Sequence, residues 1–394
     1  MPVRPDLAQR MARIAPFEVM EVLDAARRLE AAGRDVIHLE VGEPDFPTPA
    51  PVIQAARRAL ATTPMFYTSA LGMPELREAI SGWYAASFAV TVPMERIVVT
   101  AGSSAALLMA LGALVNPGER VLMSDPGYPC NRNFVRFLDA EPVLVASGPA
   151  DGYQLTAPLA RRAWGPGVRA AIAASPSNPT GTRLDPSEWA ALAAVCRERD
   201  GVLIADEIYQ GLVYDGPAET VLSVADDVWV VNSFSKYFQM TGWRLGWLVV
   251  PDGVTREIEK VAQNLYISAP TPAQHAALAA LAPEGLAVLE ARRVELGARR
   301  DVLLAELPKI GFAVRARPQG AFYIYCDVSA FTSDSFQFAE WLLETTGVAL
   351  TPGRDFGDAA PEQHVRIAYT QPIERLREAV ARIGTALEGL PSRA

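Results

Sequence analysis

Cysteine and histidine are scarce, with three of each in 394 residues. Cys130, Cys196 and Cys326 form no CxxC pair, which excludes a disulfide frame and a cysteine-based zinc site. His38, His275 and His364 stand far apart and read as structural residues, not as a metal cluster. No apolar run reaches the ~18 residues that a membrane span needs. The opening MPVRPDLAQRMARIAP has neither an apolar core nor a small-residue cleavage site. A net charge of −9 argues against nucleic acid or an anionic membrane as partner. Internal repeats and low-complexity stretches are lacking as well. The expectation is a reduced, cytoplasmic, globular protein without metal, membrane or nucleic acid.

What is present points to two domains. Single cores stop growing near ~250–300 residues, so this length predicts a large domain and a smaller one. Half the residues are hydrophobic and 21% are charged, an ordinary globular balance. Residues 1–45 read as an arm, one helix and a short strand, VIHLEV (36–41), packing with the small domain. From 46 to 290, short apolar runs alternate with amphipathic stretches. The runs are IVVT (97–100), VLMS (121–124), PVLVA (142–146), AAIAA (170–174), VLIAD (202–206), VWVVN (228–232) and LGWLVV (245–250). Unbroken rather than alternating hydrophobicity marks strands covered on both faces, as in a mostly parallel α/β sheet sandwiched by helices. PELREAISGWYAASF (74–88) and SEWAALAAVCRERD (187–200) read as helices, and an Ala-rich stretch near 271–305 as one long helix. Residues 291–394 read as a small α+β domain with strands at 312–314, 322–328 and 365–369 and two helices.

Ligands of open α/β sheets sit beyond the carboxyl ends of the strands. AAIAA is followed by SPSNPTG, with Asn178; VLIAD ends at Asp206, with Glu207 and Tyr209 beyond; VWVVN runs into SFSK, with Ser233, Ser235 and Lys236. Arg244 follows in MTGWRLGW. With these residues the chain resembles fold type I enzymes of pyridoxal 5'-phosphate (PLP), specifically the aspartate aminotransferase-like class I/II aminotransferases. Ser233, Ser235, Lys236, Met240, Gly242, Arg244, Leu245 and Gly246 match the signature around the Schiff-base lysine. The resemblance runs from YTSALGMPELREAI (67–80) to VRIAY (365–369).

The resemblance implies a role for each position, and the chemistry of PLP explains the residue types. Lys236 would carry the cofactor and then move the substrate proton, since an amine near cations or apolar surface has a lowered pKa. Asp206 would face the pyridine nitrogen as the counter-charge that a buried carboxylate needs. Tyr209 and Asn178 resemble donors to the phenolic oxygen. Ser103 and Ser104 open a helix after IVVT, an anion site by geometry and dipole. Ser233 and Ser235 would add hydroxyls and Arg244 a bidentate contact to the phosphate. Tyr128 aligns with an aromatic that stacks on the ring. Tyr67 matches a tyrosine that reaches the neighbouring subunit's phosphate, implying a homodimer with shared sites. Arg366 resembles the arginine that grips the substrate α-carboxylate, and Gly42 a glycine whose backbone lies near the substrate. Plain structural readings stand beside these: a helix cap for Asp206, a turn for Asn178 and Gly42, core packing for Tyr128 and Tyr209, a loop anchor for Tyr67.

One branch of the family has Gly-Lys-Gln where Ser103, Ser104 and Ala105 stand, and a small residue is usual at Gln239. The expected reaction is amino-group transfer between an L-α-amino acid and a 2-oxo acid. A β-lyase (C–S lyase) of the same fold shares Lys236, Asp206, Tyr209 and Arg244. A non-catalytic regulatory protein is disfavoured by the short N-terminal segment, the acidic chain and the retention of every catalytic position. No arginine stands out for a second substrate carboxylate. Phe17 and Tyr266 fit either an apolar side-chain pocket or ordinary core packing.

Overall fold

The computed structural model describes residues 7–389. The outermost parts of the expected terminal segments, residues 1–6 and 390–394, lie outside the described residues. Among the described residues the strands are β1 (Ile37–His38), β2 (Ile97–Thr100), β3 (Arg120–Asp125), β4 (Glu141–Ala146), β5 (Val168–Ala174), β6 (Val202–Asp206), β7 (Trp229–Ser233), β8 (Gly246–Val249), β9 (Tyr323–Asp327), β10 (Val348–Ala349), β11 (Thr351–Pro352) and β12 (His364–Ala368).

Seven of them form one sheet in the order β2-β8-β7-β6-β5-β3-β4. It is parallel except for β8, which runs against both β2 and β7. The expected hydrophobic runs all fall in this sheet. β2, β7 and β8 are buried along their whole length, because helices cover both faces. The fold is α/β, with a mostly parallel sheet between helices. The helix Pro74–Phe88 has the expected bounds. The helix Pro186–Glu198 starts on a capping box: Asp185 Oδ1 accepts from Glu188 N–H at 2.9 Å, and Glu188 Oε2 accepts from Asp185 N–H at 2.8 Å.

Three expectations need correction. The helical stretch near 271–305 is two helices, Thr271–Leu281 and Pro283–Glu306. Pro283 has no N–H to donate and drives Ala282 out of the helical region, to ψ 156°. Residues 312–314 form no strand, only an isolated bridge from Ala313 to Asp327. VIHLEV contributes only Ile37–His38, because its partner β10 offers only Val348 and Ala349.

A second sheet, β11-β12-β9, is antiparallel and sets Arg366 of β12 opposite Tyr325 on one side and Thr351 on the other. β1 pairs in parallel with β10, and Leu39 O accepts from Ala368 N–H at 2.7 Å. The N-terminal stretch is thereby tied to the C-terminal sheet. No helix among the described residues is long and apolar enough to cross a membrane.

Candidate active site

The reversal of β8 brings the site together. Ser233, the last residue of β7, pairs with Gly246, the first of β8, and Gly246 pairs with Thr100 at the end of β2. The segments after β7, before β8 and after β2 therefore meet at one sheet edge. They carry Lys236, Arg244 and Ser103–Ser104. The same edge receives Asn178 after β5, Asp206 at the end of β6 and Tyr128 after β3.

The lysine loop is held by what it buries. Phe234 and Phe238 pack on each other and on Trp247, with centroids 4.9 Å apart for the phenyl pair and 5.0 Å for Phe234 and Trp247. Met240 N–H returns to Phe234 O at 2.9 Å. With the aromatic residues anchored in the core, Ser235 and Lys236 face a cavity of about 490 Å³. Lys236 Nζ donates to Gly42 O at 2.7 Å and lies 5.8 Å from the Tyr209 ring and 5.7 Å from the Phe322 ring. Burial, then the Arg366 charge, lowers its pKa to about 8, against the opposing pull of Glu43.

Asp206 is 2% exposed. Its Oδ1 accepts from Ile208 N–H at 3.2 Å, and it makes no ion pair among the described residues. Burial raises its pKa to about 6, only partly offset by Lys236. Glu207 is directed elsewhere: its carboxylate accepts from Val221 N–H at 2.7 Å and the Thr220 hydroxyl at 3.0 Å.

A raised carboxyl pKa costs stability on the alkaline side. The unfolded Asp206 ionises from its ordinary value of 3.8 while the folded one waits until about 6. The contribution of Asp206 is therefore least unfavourable below pH 4, falls through that window, and stays lower above it by about 3 kcal/mol. In ligand-free protein, Asp206→Asn is expected to gain that amount over wild type between pH 4 and pH 6.5 in denaturant titrations. A pH-independent difference would contradict the assignment.

At the end of β2, Gly102 has φ +83° and starts the helix Ser103–Leu114, whose first N–H groups have no side-chain cap. A Cβ on Gly102 would stand 2.7 Å from Arg244 Nη2, so glycine is needed for the arginine to approach. Arg244 makes no salt bridge among the described residues; its Nη1 donates to Thr241 O at 2.9 Å. Uncapped N–H groups and an unspent guanidinium on one wall form an anion cradle.

Arg366, which lines the same cavity, is buried with both Nη atoms hydrogen-bonded and its Nε without a partner among the described residues. Nη1 donates to Asn178 Oδ1 at 3.1 Å, and Nη2 to Glu40 O at 2.5 Å and Thr351 Oγ1 at 3.1 Å. The guanidinium lies over the Tyr323 ring at 4.4 Å. Tyr209 and Tyr323 share a hydroxyl hydrogen bond of 2.9 Å, and burial holds both phenols above their ordinary pKa. Gly42 is required by contact and not by φ, since a Cβ there would meet Tyr323 Oη at 2.7 Å.

The cavity thus gathers Gly42, Ser103, Ser104, Tyr128, Asn178, Asp206, Tyr209, Ser235, Lys236, Arg244 and Arg366. Ser233 is not on it. Its Oγ accepts from Ser235 N–H at 3.0 Å and donates to Leu245 O at 3.4 Å, which gives it a turn role. Tyr67 is also off the cavity and 77% exposed. Gln239 takes φ +55°, and its side chain accepts from Arg292 of the long helix. Phe17 lines the cavity; Tyr266 does not, and its hydroxyl donates to Met109 Sδ. Sequence reasoning missed Tyr323, Thr351, Glu43 and Asp355, which no local motif marks. Among the described residues no group of three or more His, Cys, Asp and Glu side chains is arranged to hold a metal ion.

The family model for aminotransferase class I and II matches residues 34–383. The chain is 42% identical to the valine–pyruvate aminotransferase of Mycobacterium tuberculosis, over 95% of this chain and 97% of that one. It is 36% identical to the aspartate/prephenate aminotransferase of Thermus thermophilus, over 97% and 98% of the two chains. The crystal structure of an aminotransferase from Mycobacterium tuberculosis superposes with a TM-score of 0.94 at 41% identity, covering 98% of this chain and all of that one.

Proposed function

The chain belongs to the class I and II aminotransferases, a PLP-dependent family, and from that premise we propose that it moves an amino group between an L-α-amino acid and a 2-oxo acid, with Lys236 carrying the proton. The observation that carries this reading is the convergence of the Lys236 amine, the buried Asp206 carboxylate and the guanidinium groups of Arg244 and Arg366 on a single cavity. Bound PLP supplies an aldehyde that takes up the amino group and a protonated ring that accepts the electron pair left at Cα.

The residues present fit that group. Asp206, buried without a cation, would hold the pyridine nitrogen in its protonated form. The N–H groups of Ser103 and Ser104, the Ser235 hydroxyl and Arg244 would hold the phosphate, and Tyr128 would cover the ring. Asn178 spends its Oδ1 on Arg366, which leaves Nδ2 to donate to the phenolic oxygen. Tyr209 and Tyr323 share one hydroxyl hydrogen bond, and with Tyr323 as its donor the Tyr209 proton would be free for the same oxygen.

Arg366 binds the substrate carboxylate with its planar fork and so fixes the Cα–H bond toward Lys236. Lys236 accepts that proton as a neutral amine and returns it on the cofactor side. A pKa near 8 leaves a useful fraction of neutral amine close to neutral pH. We read residues 46–290 as the large domain, with the C-terminal sheet and the N-terminal segment closing together over substrate and excluding water. A second copy would cover the exposed pair Phe66 and Tyr67, 78% and 77% accessible, and bring Tyr67 to its partner's phosphate site.

The test is a panel of L-amino acids offered with 2-oxoglutarate, pyruvate or oxaloacetate. One new oxo acid should form for each new amino acid. Pyruvate and ammonia released from a cysteine S-conjugate without an acceptor would instead make the chain a lyase. The relatives' names span valine with pyruvate and aspartate with prephenate, so family membership leaves the donor side chain open.

A further inference from the structure

Next to Arg366 the cavity has a wall that the proton chemistry does not use. It is built from Phe17, Val19, Met20 and Phe356. The first three belong to the start of the helix Glu18–Ala31, which has an unusual cap. Its N-cap residue is Phe17, which has no side-chain oxygen to offer the first N–H groups. Asp355 satisfies them from more than three hundred residues away. Its Oδ1 accepts from Glu18 N–H at 2.7 Å and its Oδ2 from Val19 N–H at 2.8 Å. Asp355 is 4% exposed and lies in the turn Gly353–Asp355, just after β11. The next residue, Phe356, places its ring 5.0 Å from the Arg366 guanidinium. One turn therefore carries both the pin for the N-terminal wall and a contact to the carboxylate-binding arginine.

The charges on this side are as informative as the apolar groups. Glu43 and Asp355 are the additional ionisable side chains lining the mouth, and both are acidic. The cations on the cavity, Lys236, Arg244 and Arg366, are all engaged by the proposed chemistry. A second substrate carboxylate would meet hydrocarbon, Glu43 and Asp355 on this side, while the neighbouring cation, Arg132, is tied to the same turn, its Nη2 donating to Asp355 O at 3.0 Å.

Resting on the aminotransferase reading, we propose that this wall is the side-chain subsite, that it selects amino acids with uncharged apolar side chains, and that Asp355 is the positioning residue that assembles it. Asp355 touches no reacting atom. It fixes the first turn of the helix so that Phe17, Val19 and Met20 stand at a defined distance from the substrate Cα that Arg366 and Lys236 hold.

The test is the donor half-reaction of the full-length holoenzyme, followed through the visible absorbance of the cofactor, so that no acceptor has to be known. For wild type, the best of L-valine, L-leucine, L-methionine and L-phenylalanine should exceed L-alanine in kcat/KM by at least roughly tenfold, as apolar pockets discriminate. L-aspartate should rank below all of them. In Asp355→Ala the apolar-over-alanine ratio should fall by about tenfold, chiefly through KM, and Asp355→Asn, which keeps one good acceptor, should recover part of it. Hydrogen exchange of the Glu18 and Val19 amides should accelerate in the alanine variant. Met20→Ala should lower the same ratio, which keeps the test open if Asp355→Ala does not fold. Aspartate equalling the apolar donors, or an unchanged ratio despite faster exchange, overturns the proposal and leaves the aminotransferase reading intact. A wild type that reacts with no donor at all overturns both.

Discussion

Replacing Lys236 by alanine is expected to lower turnover by roughly 10⁴-fold or more, the scale of losing a positioned acid–base group together with its covalent role. No neighbour can stand in for it. Burial holds the phenols of Tyr128, Tyr209 and Tyr323 above their ordinary pKa, and the Cys130 thiol is raised for the same reason, so none is a ready base near neutrality. Asp206 is no substitute either, because its carboxylate is the proposed partner of the ring nitrogen. Two measurements separate the lost functions. Borohydride treatment followed by peptide mapping should tag residue 236 in wild type and no lysine in the variant. Added primary amines should restore a small part of the rate, because a diffusing base replaces the proton carrier and not its position. Lys236→Arg should stay as slow as the alanine variant, since guanidinium is not deprotonated near neutral pH. Turnover within tenfold of wild type in either variant would remove position 236 from the chemistry.

The cavity residues proposed to hold the cofactor were legible in the sequence as strand-end residues because that signal is local. Asp206, Ser235, Lys236 and Arg244 each follow or precede an apolar run within a few residues, and strand ends in α/β sheets converge. The runs at 97–100, 202–206 and 228–232 carried the sheet for the same reason: burial on both faces leaves a pattern that needs no partner to be read. The limits appear where neighbours are remote in sequence. Nothing near Tyr323 announces a hydroxyl contact to Tyr209, 114 residues earlier, and nothing near Asp355 announces Glu18, 337 residues earlier. Thr351 meets Arg366 only through strand register. The two serines of SFSK look equivalent as text. The turn spends Ser233 on its own backbone and leaves Ser235 for the cavity. The helix near 271–305 failed differently, because Ala-rich periodicity continues across Pro283 while the backbone does not.

The second large effect concerns Arg366. Arg366→Ala is expected to lower kcat/KM for an L-amino acid by about 10²–10³-fold, the scale of truncating one partner of a buried charge pair. The scaffold should survive the change. Thr351 Oγ1 donates to Glu40 O at 3.0 Å without help from the arginine, and the pairing of β12 with β9 and β11 is made by backbone. A shift in Tm small beside the kinetic loss would separate the two effects. Arg366→Lys should recover little, since an ammonium supplies the charge but not the planar pair of donors. The decisive comparison uses a primary amine with the same side chain and no carboxylate. Wild type and variant should process it at nearly equal, slow rates, because the interaction removed is one the amine never makes. The Lys236 pKa in ligand-free protein adds a second, independent readout. The Arg366 charge is the second cause, after burial, of its depression. Removing that charge should move the pKa upward from about 8, toward the ordinary lysine value. An equal loss of rate for amine and amino acid, with that pKa unmoved, would place Arg366 outside the carboxylate site.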